Sequence, residues 1–257
     1  MSDVKNVMLE IVEPRMDLLT PIADIAMYPK RIELAGRNCY KSEGKITKDS
    51  AERFVKMIIR RGHHSVLEHC SITVKFVGDR SMSHQLVRHR IAAYSQESQR
   101  YCNYGKTDSL KVIVPQSIYD PKFFQPKFSI VLETDQRTSC SRLIIHRPDG
   151  TKEALPEGSA GWVWAFSTMT SYRAYLDLLG FKLKAEDARS VLPNATKTEV
   201  VTTYNLRQWR HFFETRCDRH AQWQIRGLAL STLRLFHAYA PCLFNDLYEK
   251  FHGGDDE

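Results

Sequence analysis

Hydrophobic and polar positions along this chain change period several times, and each change marks an element. "LEHCSITVKFVG", residues 67–78, sets Cys70, Ile72, Val74 and Phe76 against more polar neighbours, the period of a strand with one buried face. Just before it, "KDSAERFVKMIIRRGHHS" follows the helical period. Phe54, Met57 and Ile58 form an apolar stripe, Asp49 or Ser50 offers a cap, and Gly62 supplies the stop. Nearer the N-terminus, "NVMLEIVEPR" reads as a first strand, and "MYPKRIELAGRNCY" as a helix on Ile32, Leu34 and Ala35 that ends near residues 36–39. Asp79 opens a further helix that runs on into "RHRIAAYSQESQRY", residues 88–101.

From Leu110 to about Ala160 the runs are short and β-like, "KVIVP", "FSIVLET" and "SRLIIHRPDGTKEAL", broken by proline and by a turn at Asp149-Gly150. Helical patterning then resumes. "WVWAFSTMTSYRAYLDLLG" closes on Gly180, and "EDARSVLP" is a short helix stopped by Pro193. "KTEVVTTYN" reads as a strand and "NLRQWRHFFETRC" as a helix. In the last long helix Ala221, Ile225, Leu228, Thr232 and Leu235 mark the packed face, with Asp218 as a candidate cap. The expectation is an α+β fold with a mainly antiparallel sheet flanked by helices. The single domain spans 1–257, and the β-rich segment at about 107–160 reads as an insertion. No GxGxxG follows a strand and no GxxxxGK[ST] occurs, so neither a Rossmann nor a P-loop reading holds.

Composition narrows the class. A chain of 257 residues, 42% hydrophobic and 26% charged, reads as an ordinary soluble protein with no apolar run long enough to span a bilayer. "MSDVKNVMLEIVEP" is not a signal peptide, so the protein is expected in the cytoplasm and off the membrane. Six cysteines stand singly, which fits reduced thiols. The formal charge of +7 favours an anionic partner.

Candidate chemistry lies in two arginine-rich clusters. On the expected helix Arg88, His89 and Arg90 point in different directions, about 100 degrees apart, which fits either a grip on different parts of one ligand, with Ser98 and Arg100 near its end, or a solvated basic helix face. Further along, Arg207 and His211 share a helical face, Asn205 precedes them, and Arg216 follows with Asp218 as its holder or as the next cap. Trp209, Phe212, Phe213 and Trp223 are expected in the core. Upstream, "GHHSVLEH" offers His63, His64, Glu68 and His69, but Glu68 adjoins the last histidine rather than the first. The HExxH zinc spacing therefore fails and no metal is expected; the cluster reads as satisfied local histidines or as polar groups lining a cofactor pocket. At this level the two clusters fit either a pocket for something flat and phosphorylated or a nucleic-acid surface.

The motif Arg88-His89-Arg90, then "IAAYSQE", then Ser98 resembles the signature of the flavin-dependent thymidylate synthases. Three more blocks fall in that family's order: "HHSVLEH", "ARSVLP" at 188–193, and "NLRQWRHFFETRCDRHAQWQI". Together they span most of the chain outside 107–160. The resemblance implies methylation of dUMP at C5, with methylenetetrahydrofolate as carbon donor and NADPH as reductant acting through FAD. It implies dUMP contacts at Gln85, Leu86, Val87 and Arg88, at Gln96, Glu97, Ser98, Gln99 and Arg100, and at Arg189. Flavin contacts fall at Ser65, at Arg88, His89 and Arg90, at Gln96, and at Asn205, Arg207 and His211. Arg216 matches the arginine that stabilises the ionised N3 of uracil, which makes it the catalytic candidate and a dUMP contact. His63 matches a histidine near flavin and folate.

The resemblance also implies a homotetramer with active sites shared between subunits. Ala93 stands where members often carry a hydroxyl, His211 where asparagine is common, and the 107–160 segment is longer than the family pattern. Two other readings stay open. One is a related flavin enzyme that releases 5-hydroxymethyl-dUMP or accepts dCMP. The other, ranked last, is a basic nucleic-acid-binding module.

Overall fold

The structure is a computed structural model that describes residues 7–134 and 141–252. It is α+β as expected, with sheets flanked by helices, and it divides into two compact units, each built from separate stretches of chain. The first comprises the described residues of Met1–Pro14, Val77–Ser83 and Gln96–Glu199. The second comprises Arg15–Phe76, His84–Ser95 and 200–252. Among the described residues no helix is long and apolar enough to cross a membrane.

The first unit is organised by a five-stranded sheet. Its strands are β1 (Met8–Ile11), β5 (Leu110–Val112), β6 (Ser129–Thr134), β7 (Ser141–His146) and β8 (Lys152–Ala154), in the order β5-β1-β6-β7-β8. The β1–β5 pair is parallel, and the β1–β6, β6–β7 and β7–β8 pairs are antiparallel. The β-like runs after residue 110 are therefore strands, and they share this sheet with β1 from the start of the described chain. Gly150, at φ 84°, makes the left-handed step in the β7–β8 turn at the Asp149-Gly150 position read from sequence. Over this sheet lies helix α4 (Ala160–Gly180), capped by Ser159, whose hydroxyl accepts from the Trp162 N–H at 3.1 Å. Leu9, Ile130 and Ile145 of the sheet share one core with Ala165, Met169, Tyr172 and Tyr175 of α4. Helix α5 (Ala185–Ala188) follows, with a 3-10 turn at Arg189–Val191.

A four-stranded sheet runs in the order β2 (Arg15–Leu18), β3 (Ser71–Asp79), β9 (Lys197–Asn205) and β4 (Ala93–Gln96). In β3, Ile72, Val74 and Phe76 are buried at alternate positions as the pattern predicts, and Cys70 is buried just ahead of the strand. The helices of the second unit are α1 (Ile22–Asn38), α2 (Ser50–Arg60), α6 (Leu206–Arg216), α7 (Trp223–Tyr239) and α8 (Pro241–His252). Their core is aromatic. Trp209, Phe212 and Phe213 of α6 pack with Phe236 of α7 and Phe244 of α8, all fully buried, at ring separations of 5.0–5.8 Å. Trp223, expected with them, is only half-buried.

Local details depart from the pattern where side chains find tertiary partners. The first expected strand is two, β1 and β2, with Pro14 between them. Helix α1 begins at Ile22, ahead of the expected segment. Asp49 makes no cap bond on α2. The Ser50 hydroxyl instead donates to Glu33 Oε2 at 2.8 Å and accepts from the Thr47 N–H at 2.9 Å. Gly62, at φ 71°, does end that helix region. Gln222 rather than Asp218 caps α7, and Leu235 is half-buried while Leu233 and Phe236 are in the core.

Candidate active site

Helix α3 (Arg80–Leu86) is capped by Asp79, whose Oδ1 accepts from the Met82 N–H at 2.7 Å. It ends at Leu86, so the Arg88-His89-Arg90 run lies in a turn before β4 and is not helical as the pattern predicts. The cause is a competing set of donors. The Tyr94 hydroxyl lies 2.9 Å from the carbonyls of both Leu86 and His89 and 2.8 Å from the Tyr204 hydroxyl, and Arg90 Nη1 donates to the carbonyls of Val87 at 2.5 Å and His89 at 3.0 Å. These bonds take the carbonyls that a further helical turn would use. In the turn Arg88 and Arg90 are exposed, Val87 is half-buried, and Leu86 and His89 are buried.

At the far end of α6, Arg216 closes onto this turn. Its Nε donates to His89 Nε2 at 2.9 Å, Nη1 to Gln85 Oε1 at 2.7 Å, and Nη2 to the Gln85 carbonyl at 3.2 Å. Asp218, expected to hold Arg216, instead accepts from the His220 backbone N–H at 2.9 Å. Burial, then the neighbouring Arg216 and His211, push the His89 imidazole down to about 4, which keeps it neutral. Burial also lowers the Arg216 guanidinium below its ordinary value.

The same unit holds a cleft of about 420 Å³ lined by His64, Glu68, Arg90, Ile91, Asn205, Arg207, Gln208, Arg210, His211 and Glu214. Asn205 caps α6, its Oδ1 accepting from the Gln208 N–H at 2.8 Å, and this sets Arg207 and His211 one turn apart on the cleft side. Arg207 pairs with Glu68 at 2.6 Å. Of the expected flavin contacts, Arg90, Asn205, Arg207 and His211 meet here. Ser65 and His63 are exposed beside His64 without lining the cleft, and the His89 ring is turned to Arg216.

Gln208, Arg210 and Glu214 are not among the expected contacts, and His64 and Glu68 are expected only as satisfied local groups or as polar lining of a cofactor pocket. The only sequence signal for them was the polar cluster around His64 and the helical face shared with Arg207. Three buried polar atoms of this lining, His64 Nε2, Gln208 Nε2 and Arg210 Nε, have no protein partner. Buried polar atoms left without a protein partner call for a water or a ligand group to satisfy them.

The remaining candidates belong to the first unit. The Gln96 amide donates to Thr198 Oγ1 at 3.2 Å. Glu97 accepts from Tyr104 and Lys197, each at 3.1 Å, and Ser98 Oγ accepts from the Arg100 N–H at 3.2 Å. Gln99 is buried. Glu186 draws two cationic candidates together: its carboxylate takes Arg100 Nε at 2.6 Å, and its carbonyl takes Arg189 Nε at 3.1 Å.

Comparison with known proteins identifies the family of the chain. A family profile described as thymidylate synthase complementing protein matches residues 24–242. The chain is 36% identical over 222 residues to the flavin-dependent thymidylate synthase of Geobacter sulfurreducens, covering 84% of this chain and 80% of that one. It is 34% identical over 223 residues to that of Mycobacteroides abscessus, covering 85% and 79%. Among solved structures, a UMP/dUMP methylase PolB from Streptomyces cacaoi bound with 5-Br dUMP superposes with a TM-score of 0.66. It is 22% identical and covers 94% of this chain and 97% of that chain, a likeness of fold.

Proposed function

Because the chain belongs to the flavin-dependent thymidylate synthases, we propose that it makes dTMP from dUMP by reductive methylation at C5, with methylenetetrahydrofolate as carbon donor and NADPH as reductant acting through FAD. The observation that carries the reading is the fixed guanidinium of Arg216. Gln85 and His89 hold three of its N–H groups, and of the five a guanidinium carries, two remain for a ligand. A uracil that loses its N3 proton places negative charge on N3 and the flanking carbonyls. A preorganised cation there lowers the barrier without reorganising at the moment of reaction.

The other assignments follow the family positions. Gln85 to Arg88, Gln96 to Arg100 and Arg189 bind dUMP, with the guanidinium groups of Arg100 and Arg189 suited to its phosphate. Ser65, Arg88 to Arg90, Gln96, Asn205, Arg207 and His211 hold FAD, and His63 stands near flavin and folate.

The donor set of the cleft supports a dinucleotide. Arg90 and Arg207 suit a pyrophosphate, and the unpartnered atoms of His64, Gln208 and Arg210 suit further polar groups. FAD, when bound, supplies the hydride chemistry that these side chains lack. We assign no metal and no thiol nucleophile. We read the protein as a cytoplasmic homotetramer whose subunits complete one another's sites.

The test is mass analysis of the nucleotide formed by the FAD-loaded protein from dUMP, methylenetetrahydrofolate and NADPH. Formation of dTMP is the expected result. A hydroxymethylated product, or turnover of dCMP alone, would overturn the named activity. In the same assay Arg216→Ala should retain flavin while lowering dTMP formation by about a hundredfold or more, the size usual for loss of one preorganised charge-stabilising donor. Normal turnover in that variant would remove its role.

A further inference from the structure

We infer that His89 is the positioning residue that sets the plane of the Arg216 guanidinium, its Nε2 lone pair accepting the Arg216 Nε–H. This rests on the reading of Arg216 as the group that faces the base. It moves the His89 side chain from the flavin contacts to the substrate side of the chemistry.

The geometry is specific. Gln85 holds only the terminal nitrogens of Arg216, so the third bond, at Nε and 2.9 Å long, fixes the guanidinium as a plane. An Nε2 that accepts carries no proton, so His89 is the neutral tautomer with hydrogen on Nδ1. The ring is 6% exposed and stands edge-on to Phe212 at 5.1 Å, with Tyr204 at 6.3 Å and His211 at 6.0 Å. Its carbonyl is held separately by the Tyr94 hydroxyl and Arg90 Nη1. Backbone and ring are thus anchored independently, and a side-chain substitution tests the ring alone.

Three His89 variants of the flavin-loaded enzyme separate the possibilities. His89→Phe keeps a ring and removes the acceptor. His89→Gln places an oxygen near the Nε2 position, and His89→Asn places one near the Nδ1 position. Loss of a hydrogen bond to a charged group predicts a fall in kcat of about 10–100-fold for His89→Phe, with dUMP KM and flavin content within about threefold of the parent. His89→Gln should recover most of the loss and His89→Asn little of it. In an Arg216→Ala background His89→Phe should add nothing, because its effect passes through Arg216.

Flavin loss in His89→Phe with normal turnover per bound flavin would overturn the inference, as would equal activity of the Gln and Asn variants or additive losses in the double variant. Should His89→Phe fail to fold, the Gln–Asn contrast and the His89→Gln/Arg216→Ala cycle decide in its place. A failure of the underlying reading looks different: Arg216→Ala alone would turn over normally, whatever the His89 variants do.

Discussion

A single neutral imidazole links the stability of this protein to pH. His89 titrates at about 4 in the fold against an ordinary 6.5. Between those values the unfolded chain binds a proton that the folded chain refuses, so stability is intact above pH 6.5 and falls as the pH drops towards 4. Burial enforces this first, and the neighbouring Arg216 and His211 add to it. His89→Gln should lose about 2–3 kcal/mol less than the parent between pH 7 and 4.5, measured from urea midpoints, and parallel curves would contradict the assignment. Tyr94 offers a second residue test. Its hydroxyl serves the carbonyls of Leu86 and His89 and meets Tyr204, so Tyr94→Phe should lower Tm by about 2–8 °C, equivalent to roughly 1–2 kcal/mol. An unchanged Tm would mean that other contacts hold the turn. Gln85, His89 and Arg216 are each legible in the sequence as candidates, but their triangle is not, because Arg216 lies 131 residues from Gln85 and spacing carries no information at that range.

At the scale of elements, helix α1 meets α2 through a glycine. A Cβ on Gly36 would come within 2.6 Å of the Phe54 ring, which is buried and covered by the Arg37 guanidinium at 4.9 Å. Gly36→Val should therefore destabilise by about 1–3 kcal/mol through overpacking, read from a denaturant midpoint at unchanged m-value, and a neutral effect would show that the ring can retreat. Most elements were legible because each carries its own period: α2 and α6 as helices, β3 and β9 as strands, α4 to its closing glycine. What failed was the extent of helix around Arg88, where local polarity alone favours continuation and the hydroxyls that stop it come from Tyr94 and from the distant Tyr204. The cap of α7 failed for the same kind of reason. Asp218 has a competing partner in His220, and Gln222, a less common cap, reaches the N–H groups of Gln224 and Ile225.

For the whole molecule, the proposed chemistry needs no thiol, and the cysteines can be used to check it. Cys39 is exposed and Cys102 half-buried, whereas Cys70, Cys217 and Cys242 are buried. Burial pushes the Cys217 thiol up to about 12 and that of Cys242 to about 11. Alkylation of the native enzyme near neutral pH should mark Cys39 first and leave dTMP formation intact, because only the thiolate reacts. Activity lost in step with modification of Cys217 or Cys242 would assign a thiol to the mechanism. Cys140 lies outside the described residues. Fold class was legible from the succession of periods, but the partition into units was not, because it follows contacts rather than order along the chain. Each unit is threaded from interrupted stretches, with the chain leaving one and returning to it more than once. No single cut in the gene would release either unit as one continuous polypeptide. Attempts to graft one unit onto another scaffold, to express it alone, or to rebuild the enzyme from two co-expressed halves should divide at least one unit wherever the break is made.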